Sequence, residues 1–268
     1  MTENTAAANA IIPALSSEIH AVIFDYGNTL VPFGRVEVDA FDERLAAFLR
    51  HRFGSFNESL YHELRERDRL APYLGDPPEY RESNLHRMVL DLYTTLYGHA
   101  PTPEEVAEII ETRRAIFVDI VKMSPETRRI LRALRGQYRL GLLSNYPDGE
   151  AIRLSLAKNQ ADTLLDAILV SGDLGRVKPH PDVFRAITRA LNVSPEQCLF
   201  IGDNWLADVQ GARKAGMITM RFVRWVPPER FEPAPGDLPP HGEIDDLSAS
   251  LALLSRRLPV AGDVANHG

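Results

Sequence analysis

Short apolar runs at 21–24, 139–143, 166–170, 198–201 and 218–222 punctuate the chain, and each reads as a brief buried strand. Between the later runs lie stretches with helix-like apolar spacing, at 126–136, 149–158, 182–191 and 205–215. Strand and helix in strict alternation predict a doubly wound parallel sheet of the α/β class. Ser124-Pro125 and Ser194-Pro195 each place proline at a first helical position and so mark two helix starts. Open parallel sheets bind ligands at the carboxyl ends of their strands, which directs attention to the residues just after each apolar run.

Residues 35–120 break the rhythm. This stretch is rich in Arg, Glu and Leu, and is interrupted at Gly54-Ser55, Gly75-Asp76-Pro77-Pro78 and Gly98-His99-Ala100-Pro101. The interruptions predict four helices, near 38–53, 57–71, 80–97 and 102–113, inserted between the first and second strands. The sheet-forming part is then 18–34 with 121–258. Glu243-Ile244 adds an edge strand and Leu247 to Leu258 a closing helix. Val226 to Pro240 is too dense in proline for a helix and reads as an ordered surface arm. Residues 1–17 lack a basic region and a cleavage site and read as a disordered tail, and 259–268 as a frayed end.

Composition narrows the function classes. Of 268 residues, 44% are apolar and 25% charged, ordinary values for a soluble globular protein. A formal net charge of −7 argues against nucleic-acid or anionic-membrane binding, because both favour a basic surface. One cysteine, Cys198 within a strand-like run, excludes an internal disulfide and a cysteine-rich zinc site. No apolar stretch approaches the ~20 residues that span a bilayer. These readings predict a soluble cytoplasmic protein.

Chemistry-bearing residues cluster after the apolar runs. Asp25-Tyr26-Gly27-Asn28-Thr29 follows the first, Ser144-Asn145 the second, and Gly202-Asp203-Asn204 with Asp208 the fourth, while Lys178-Pro179 sits in a loop. In that order, a carboxylate, a hydroxyl, a lysine and two further carboxylates can assemble a phosphate and a divalent cation around a nucleophile.

The order resembles the haloacid dehalogenase superfamily of hydrolases over roughly residues 18–255. The resemblance implies a Rossmann-like core with residues 35–120 as an α-helical cap of the C1 type, and Leu30 to Val38 as flap and hinge. It makes Asp25 the nucleophile that forms an aspartyl-phosphate, a covalent step that divides one difficult displacement into two easier ones. Ser144 would hydrogen-bond the phosphoryl group, and Lys178, one of four lysines in the chain, would neutralise charge there. Thr29 and Asn145 join Ser144 and Lys178 as substrate-binding residues. Mg²⁺ would be held by Asp25, the backbone carbonyl of Gly27, Asp203 and Asp208, with Asp208 ligating indirectly or orienting Lys178. Hard oxygen ligands suit that ion.

One position departs from the family's D-x-D-x-T pattern, since its second aspartate, a general acid and base, is Gly27 here. Such help is worth on the order of 10²–10⁴-fold. His51, His62, His86 and His99 in the insert are the candidate replacements. The leading expectation is a Mg²⁺-dependent hydrolase of small, anionic phosphomonoesters. A metal-free 2-haloacid dehalogenase is the nearest rival, and Asp203 opposes it because those relatives generally carry Ser-Asn-type residues there. Phosphonoacetaldehyde hydrolysis needs a cap lysine, and 35–121 contains none. A catalytically silent domain that binds a metabolite or a protein partner has Gly27 as its sole support.

Overall fold

The computed structural model describes residues 19–74, 77–225 and 233–255. The tails assigned to 1–17 and 259–268, and 226–232 of the proline-rich segment, lie outside the described residues.

Six parallel strands form one sheet: β1 (Ala21–Phe24), β2 (Arg139–Ser144), β3 (Ala167–Val170), β4 (Cys198–Gly202), β5 (Ile218–Phe222) and β6 (Gly242–Ile244). Their order is β3-β2-β1-β4-β5-β6. That is the doubly wound order in which the chain builds outward from β1 on one side, then crosses back to build on the other. Side chains alternate across a strand, and the two faces of β1 enter different cores. Val22 and Phe24 join one hydrophobic cluster, whereas Ala21 and Ile23 pack with Val183, Phe184 and Ile187 in the other. Every residue of β1 and β4 is buried, which is why these strands are apolar throughout.

Four helices separate β1 from β2: α1 (Arg35–Phe53), α2 (Glu58–Leu74), α3 (Leu85–Tyr97) and α4 (Pro103–Ile120). Local chemistry starts two of them. Asn84 caps α3 by accepting from Arg87 N at 3.0 Å. Thr102 caps α4 in a reciprocal box with Glu105, with Pro103 at the first turn. Two bounds differ from expectation by more than one turn, since α3 begins only at Leu85 and α4 runs on to Ile120. The extension of α4 follows from its apolar stripe, where Ile116 and Phe117 continue the burial of Ile109 and Ile110. α4 packs against α1 and α3, and also against core helix α6 (Gly149–Lys158), which follows α5 (Pro125–Leu134) and β2.

The loop between α2 and α3 reaches the core as well. Val177 N donates to Tyr80 O (2.8 Å), Glu82 N to Gly175 O (3.1 Å) and Arg176 Nη1 to Glu79 O (2.7 Å). These bonds fasten the insert to the segment that leads into Lys178.

Helix α7 (Pro181–Leu191) packs behind β2 and β3, and α9 (Ser248–Ser255) packs on α5. Between them α8 begins as a π-helix at Trp205–Gln210 and continues as Gly211–Lys214. Ser194-Pro195 does not start a long helix. It opens a single 3₁₀ turn, Pro195–Gln197, because the chain enters β4 at the next residue. Residues 233–240 lie on α8: Gln210 Nε2 donates to Leu238 O (2.7 Å), Leu238 N to Gln210 Oε1 (3.0 Å), and Trp205 Nε1 to Asp237 Oδ2 (2.7 Å). Among the described residues no helix is long and apolar enough to cross a membrane.

Candidate active site

β1 and β4 are neighbours, so the residues that follow them meet at one edge of the sheet. Asp25 follows Phe24, and its N–H donates to Ile201 O (2.9 Å), tying the end of β1 to β4. Asp203 follows Gly202, and Ser144 ends β2 on the other side of β1. Lys178 arrives from the loop before α7. Its ammonium, only 1% exposed, donates to Asp25 Oδ1 and to Asp208 Oδ1, both at 2.6 Å.

Asp208 is placed by unusual backbone. Both Asp208 N (2.9 Å) and Val209 N (3.1 Å) donate to Asn204 O, the wide turn of a π-helix. The turn brings Asp208 Oδ2 to within 2.9 Å of Asn204 N, so both carboxylate oxygens are engaged. A Cβ on residue 202 would lie 2.4 Å from Asp208 Cγ, closer than atoms can pack. Glycine is therefore required there for Asp208 to reach Lys178.

Asp25, Asp203 and Asp208 each bring a carboxylate oxygen within 4.8 Å of the other two. Burial pushes Asp25 up to about 6 against the opposing charge of Lys178. Burial and the charges of Asp25 and Asp208 hold Asp203 well above the usual carboxylate range. Burial alone would lower Lys178, but Asp208 and Asp25 outweigh it and keep the ammonium firmly protonated. Three crowded carboxylates facing one lysine leave excess negative charge, and hard oxygens of this kind suit a divalent cation such as Mg²⁺. Asp208 is the most committed of the three through its bonds to Lys178 and Asn204, which suits it to positioning the lysine.

The site opens into a cleft of about 530 Å³. The core contributes Asp25, Ser144, Lys178 and Asp203, and the inserted helices contribute Arg35, Glu66, Arg69 and Leu70. Gly27 lines it too, and the space beside Gly27 is taken by Phe33. A Cβ at 27 would meet Phe33 Cβ at 3.3 Å. Phe33 in turn stacks edge-on with Phe117 (5.4 Å between centroids), which packs on Tyr146 at 4.5 Å. An aromatic wall thus stands where the D-x-D-x-T pattern has its second carboxylate.

Thr29, Asn145 and the four histidines of the insert take different places. Thr29 is fully buried, lies outside the lining of the cleft, and its hydroxyl has no partner among the described residues. The turn in which Leu30 N and Val31 N both donate to Tyr26 O carries it into the core rather than toward a substrate. Asn145 lines the cleft, but its amide is spent on Lys178: Nδ2 donates to Lys178 O (3.0 Å) and Oδ1 accepts from Lys178 N (2.8 Å). It positions the lysine. None of His51, His62, His86 and His99 lines the cleft, and Glu66 is the carboxylate that the inserted helices bring to it among the described residues.

Arginines on the helices of 35–120 are mostly expected on solvated faces. Most are exposed and ion-paired, yet Arg65 and Arg113 are buried. The signal was present: Arg113 lies four residues after Ile109 and four before Phe117, on the apolar stripe of α4.

A family model described as haloacid dehalogenase-like hydrolase matches residues 19–216. A protein of Methanopyrus kandleri named glyceraldehyde 3-phosphate phosphatase is 28% identical over 232 residues, covering 85% of this chain and 93% of that one. A pyrophosphatase of Bacillus mycoides is 21% identical over 89% of this chain and 98% of its own. Among solved structures, a 2-haloacid dehalogenase from Pseudomonas syringae superposes with a TM-score of 0.66 at 20% identity, over 89% of this chain and 99% of that one. At such identity the likeness concerns the fold.

Proposed function

This chain belongs to the haloacid dehalogenase-like hydrolase family, and on that premise we propose that it is a phosphatase acting on small phosphomonoesters. The observation that carries the reading is the meeting of Asp25 and Asp203 across the ends of β1 and β4, with Lys178 bonded to Asp25 at 2.6 Å. Relatives named as phosphatases agree with it.

A carboxylate oxygen of Asp25 attacks phosphorus, the ester P–O bond breaks, and the alkoxide leaves and takes up a proton. Water then attacks the phosphorus of the aspartyl-phosphate, releasing phosphate and the Asp25 carboxylate. Lys178 holds Asp25 ionised and in place and offsets the phosphate charge, and Ser144 at the end of β2 is the candidate hydrogen-bond donor to the phosphoryl oxygens. Asp25 and Asp203, with Asp208 behind them, are the residues that would hold Mg²⁺. The ion supplies Lewis-acid polarisation of phosphoryl oxygens. Helices α1 to α4 act as a cap that shields the cleft from water and shapes it for the substrate.

The absence of a carboxylate at residue 27 removes a general acid but leaves nucleophile, lysine and metal ligands. A metal-free dehalogenase would have no use for Asp203, whose carboxylate stands within 4.8 Å of Asp25 and Asp208. The test is phosphate release from a panel of phosphomonoesters with Mg²⁺ or with EDTA, beside Asp25→Asn. Release that needs Mg²⁺ and vanishes in the variant supports the reading. Release from no ester, or equal release by Asp25→Asn, refutes it.

A further inference from the structure

A second cavity of about 170 Å³ lies under the inserted helices and shares Phe33, Val38, Arg69, Asn145 and Tyr146 with the catalytic cleft. Three guanidinium groups, of Arg65, Arg69 and Arg113, line it. Arg65 and Arg113 are 7% and 6% exposed, and both stand over the Phe41 ring at 5.5 Å from its centroid. The carboxylate between the helices, Asp42, is already shared: Arg65 Nε donates to Oδ1 at 3.0 Å and Arg69 Nη1 lies 3.6 Å from Oδ2. The other two carboxylates on the wall are engaged as well. Asp68 pairs with Arg67 at 3.2 Å, and Glu82 accepts from Ser171 Oγ and, at 2.7 Å, from Ser83 N.

Arg113 is therefore left over. Among the described residues it has no hydrogen bond and no ion pair within 4 Å; it stands over the Phe41 ring, and the carboxylate that acts on it from further off, Asp42, is already bonded to Arg65. A buried charge without a partner is costly. Packing does not account for it, because Ile109, Ile116 and Phe117 on the same face would be completed by an apolar residue at 113. Burial and the neighbouring Arg65 push the guanidinium down only to about 10, so it is charged at neutral pH.

We propose that this cavity is the subsite for a second anionic group on the substrate, a carboxylate or a phosphate, which supplies the counterion Arg113 lacks while the transferred phosphoryl group sits at Asp25. The planar guanidinium matches either anion through two parallel hydrogen bonds. The volume is about that of five or six liquid waters, at roughly 30 Å³ each, enough for such a group and its adjoining carbons. The assignment rests on the phosphatase reading for its substrate, but Arg113 can be tested without turnover.

The experiment compares wild type, Arg113→Met and Arg113→Lys with Mg²⁺ present. Its substrates are ω-phosphonooxy carboxylates of two, three and four carbons, alkanediol bisphosphates of the same lengths, and, as the neutral esters, alkyl monophosphates whose far end carries no charge. Wild type should prefer one anionic class over the neutral esters by about tenfold or more in kcat/KM, and Arg113→Met should lose that preference. The class preferred identifies the anion as carboxylate or phosphate. In parallel, calorimetry measures binding of the same esters to Asp25→Asn, with and without Arg113→Met, where the second change should weaken the anionic esters about tenfold or more. Arg113-dependent binding without hydrolysis of any ester would overturn the phosphatase reading and leave the subsite standing. Hydrolysis with no anionic preference, or a loss shared equally by charged and neutral esters, would overturn the subsite and leave the phosphatase. Thermal melting separates a structural role: Arg113→Met should melt no lower than wild type, whereas a clearly lower melting point would mean that the guanidinium holds the fold.

Discussion

Replacing Lys178 with methionine keeps most of its bulk and removes the charge between Asp25 and Asp208. The lysine is 1% exposed and makes two 2.6 Å bonds to carboxylates, so the change breaks a buried ionic triad and leaves its acidic members uncompensated. Removing one partner of a buried pair costs about 3–5 kcal/mol. At about 2–4 °C per kcal/mol for a chain of this size, Lys178→Met should melt roughly 6–20 °C below wild type in EDTA. The deficit should depend on pH. Asp25 and Asp203 already sit above the ordinary 3.8 in the folded chain, Asp25 at about 6. A carboxylate raised on folding favours the folded state below its unfolded value, and that contribution is lost as pH rises through the folded value. Without the opposing ammonium both are raised further, so the deficit should widen from pH 5 to pH 8. Mg²⁺ should restore more stability to the variant than to wild type, because it meets an additional uncompensated negative charge. Melting curves at pH 5, 6, 7 and 8, with EDTA or Mg²⁺, measure all of this. A deficit below about 1 kcal/mol, or one that is equal at pH 5 and pH 8, would refute the view that Lys178 neutralises the carboxylate cluster.

Gly202→Ala places a methyl 2.4 Å from Asp208 Cγ and should displace that carboxylate from Lys178. A cost of roughly 1–3 kcal/mol in denaturant titration, with at least tenfold lower kcat, is expected, whereas Gly136→Ala, with nothing within 4 Å of its added carbon, should match wild type. The Cβ of Gly27→Asp meets the Phe33 side chain at Cβ (3.3 Å), Cδ1 (3.7 Å) and Cγ (3.8 Å), so Phe33→Ala, which keeps Cβ but removes the ring, is combined with it to make room for the carboxyl group. The double variant should raise kcat for phosphomonoesters on the order of 10²-fold over Phe33→Ala alone, and an unchanged kcat in a folded protein would show that a missing acid does not limit the reaction. Glu82 is raised above 4.5 chiefly by burial, against its bond from Ser171. It favours the folded chain below pH 4.5, and that contribution is lost as pH rises through its higher folded value. The melting point of Glu82→Gln minus that of wild type should therefore climb with pH over this window, and a flat difference would count against a buried, protonation-sensitive latch between insert and core.

Much of this protein is legible along the chain because the relevant physics is local. An apolar run bounded by turn residues has to bury itself, and all five apolar runs became strands at nearly the expected residues, with Glu243-Ile244 adding the sixth beside β5. Helix starts carried by Asn84, Thr102 and Ser124 are written in side chains three residues from the N–H groups they cap. Ser194-Pro195 carries a similar signal, and there the adjoining strand prevailed over the cap.

The sequence alone thus determined the alternating sheet, the helical insert and the order of the reactive side chains, since each depends on neighbours a few positions away. Tertiary structure decided what those side chains touch. Asp25 and Lys178 are 153 residues apart in the chain and 2.6 Å apart in space. No local pattern specifies that Asn145 grips Lys178, that Thr29 is turned inward, or that Phe33 fills the space beside Gly27. Those outcomes follow from which strand lies beside which, and from the dense packing that leaves each group one place to go. Arg113 shows the same division: its place on an apolar stripe is visible in the sequence, while its lack of a counterion exists only once α1, α2 and α4 have closed around it.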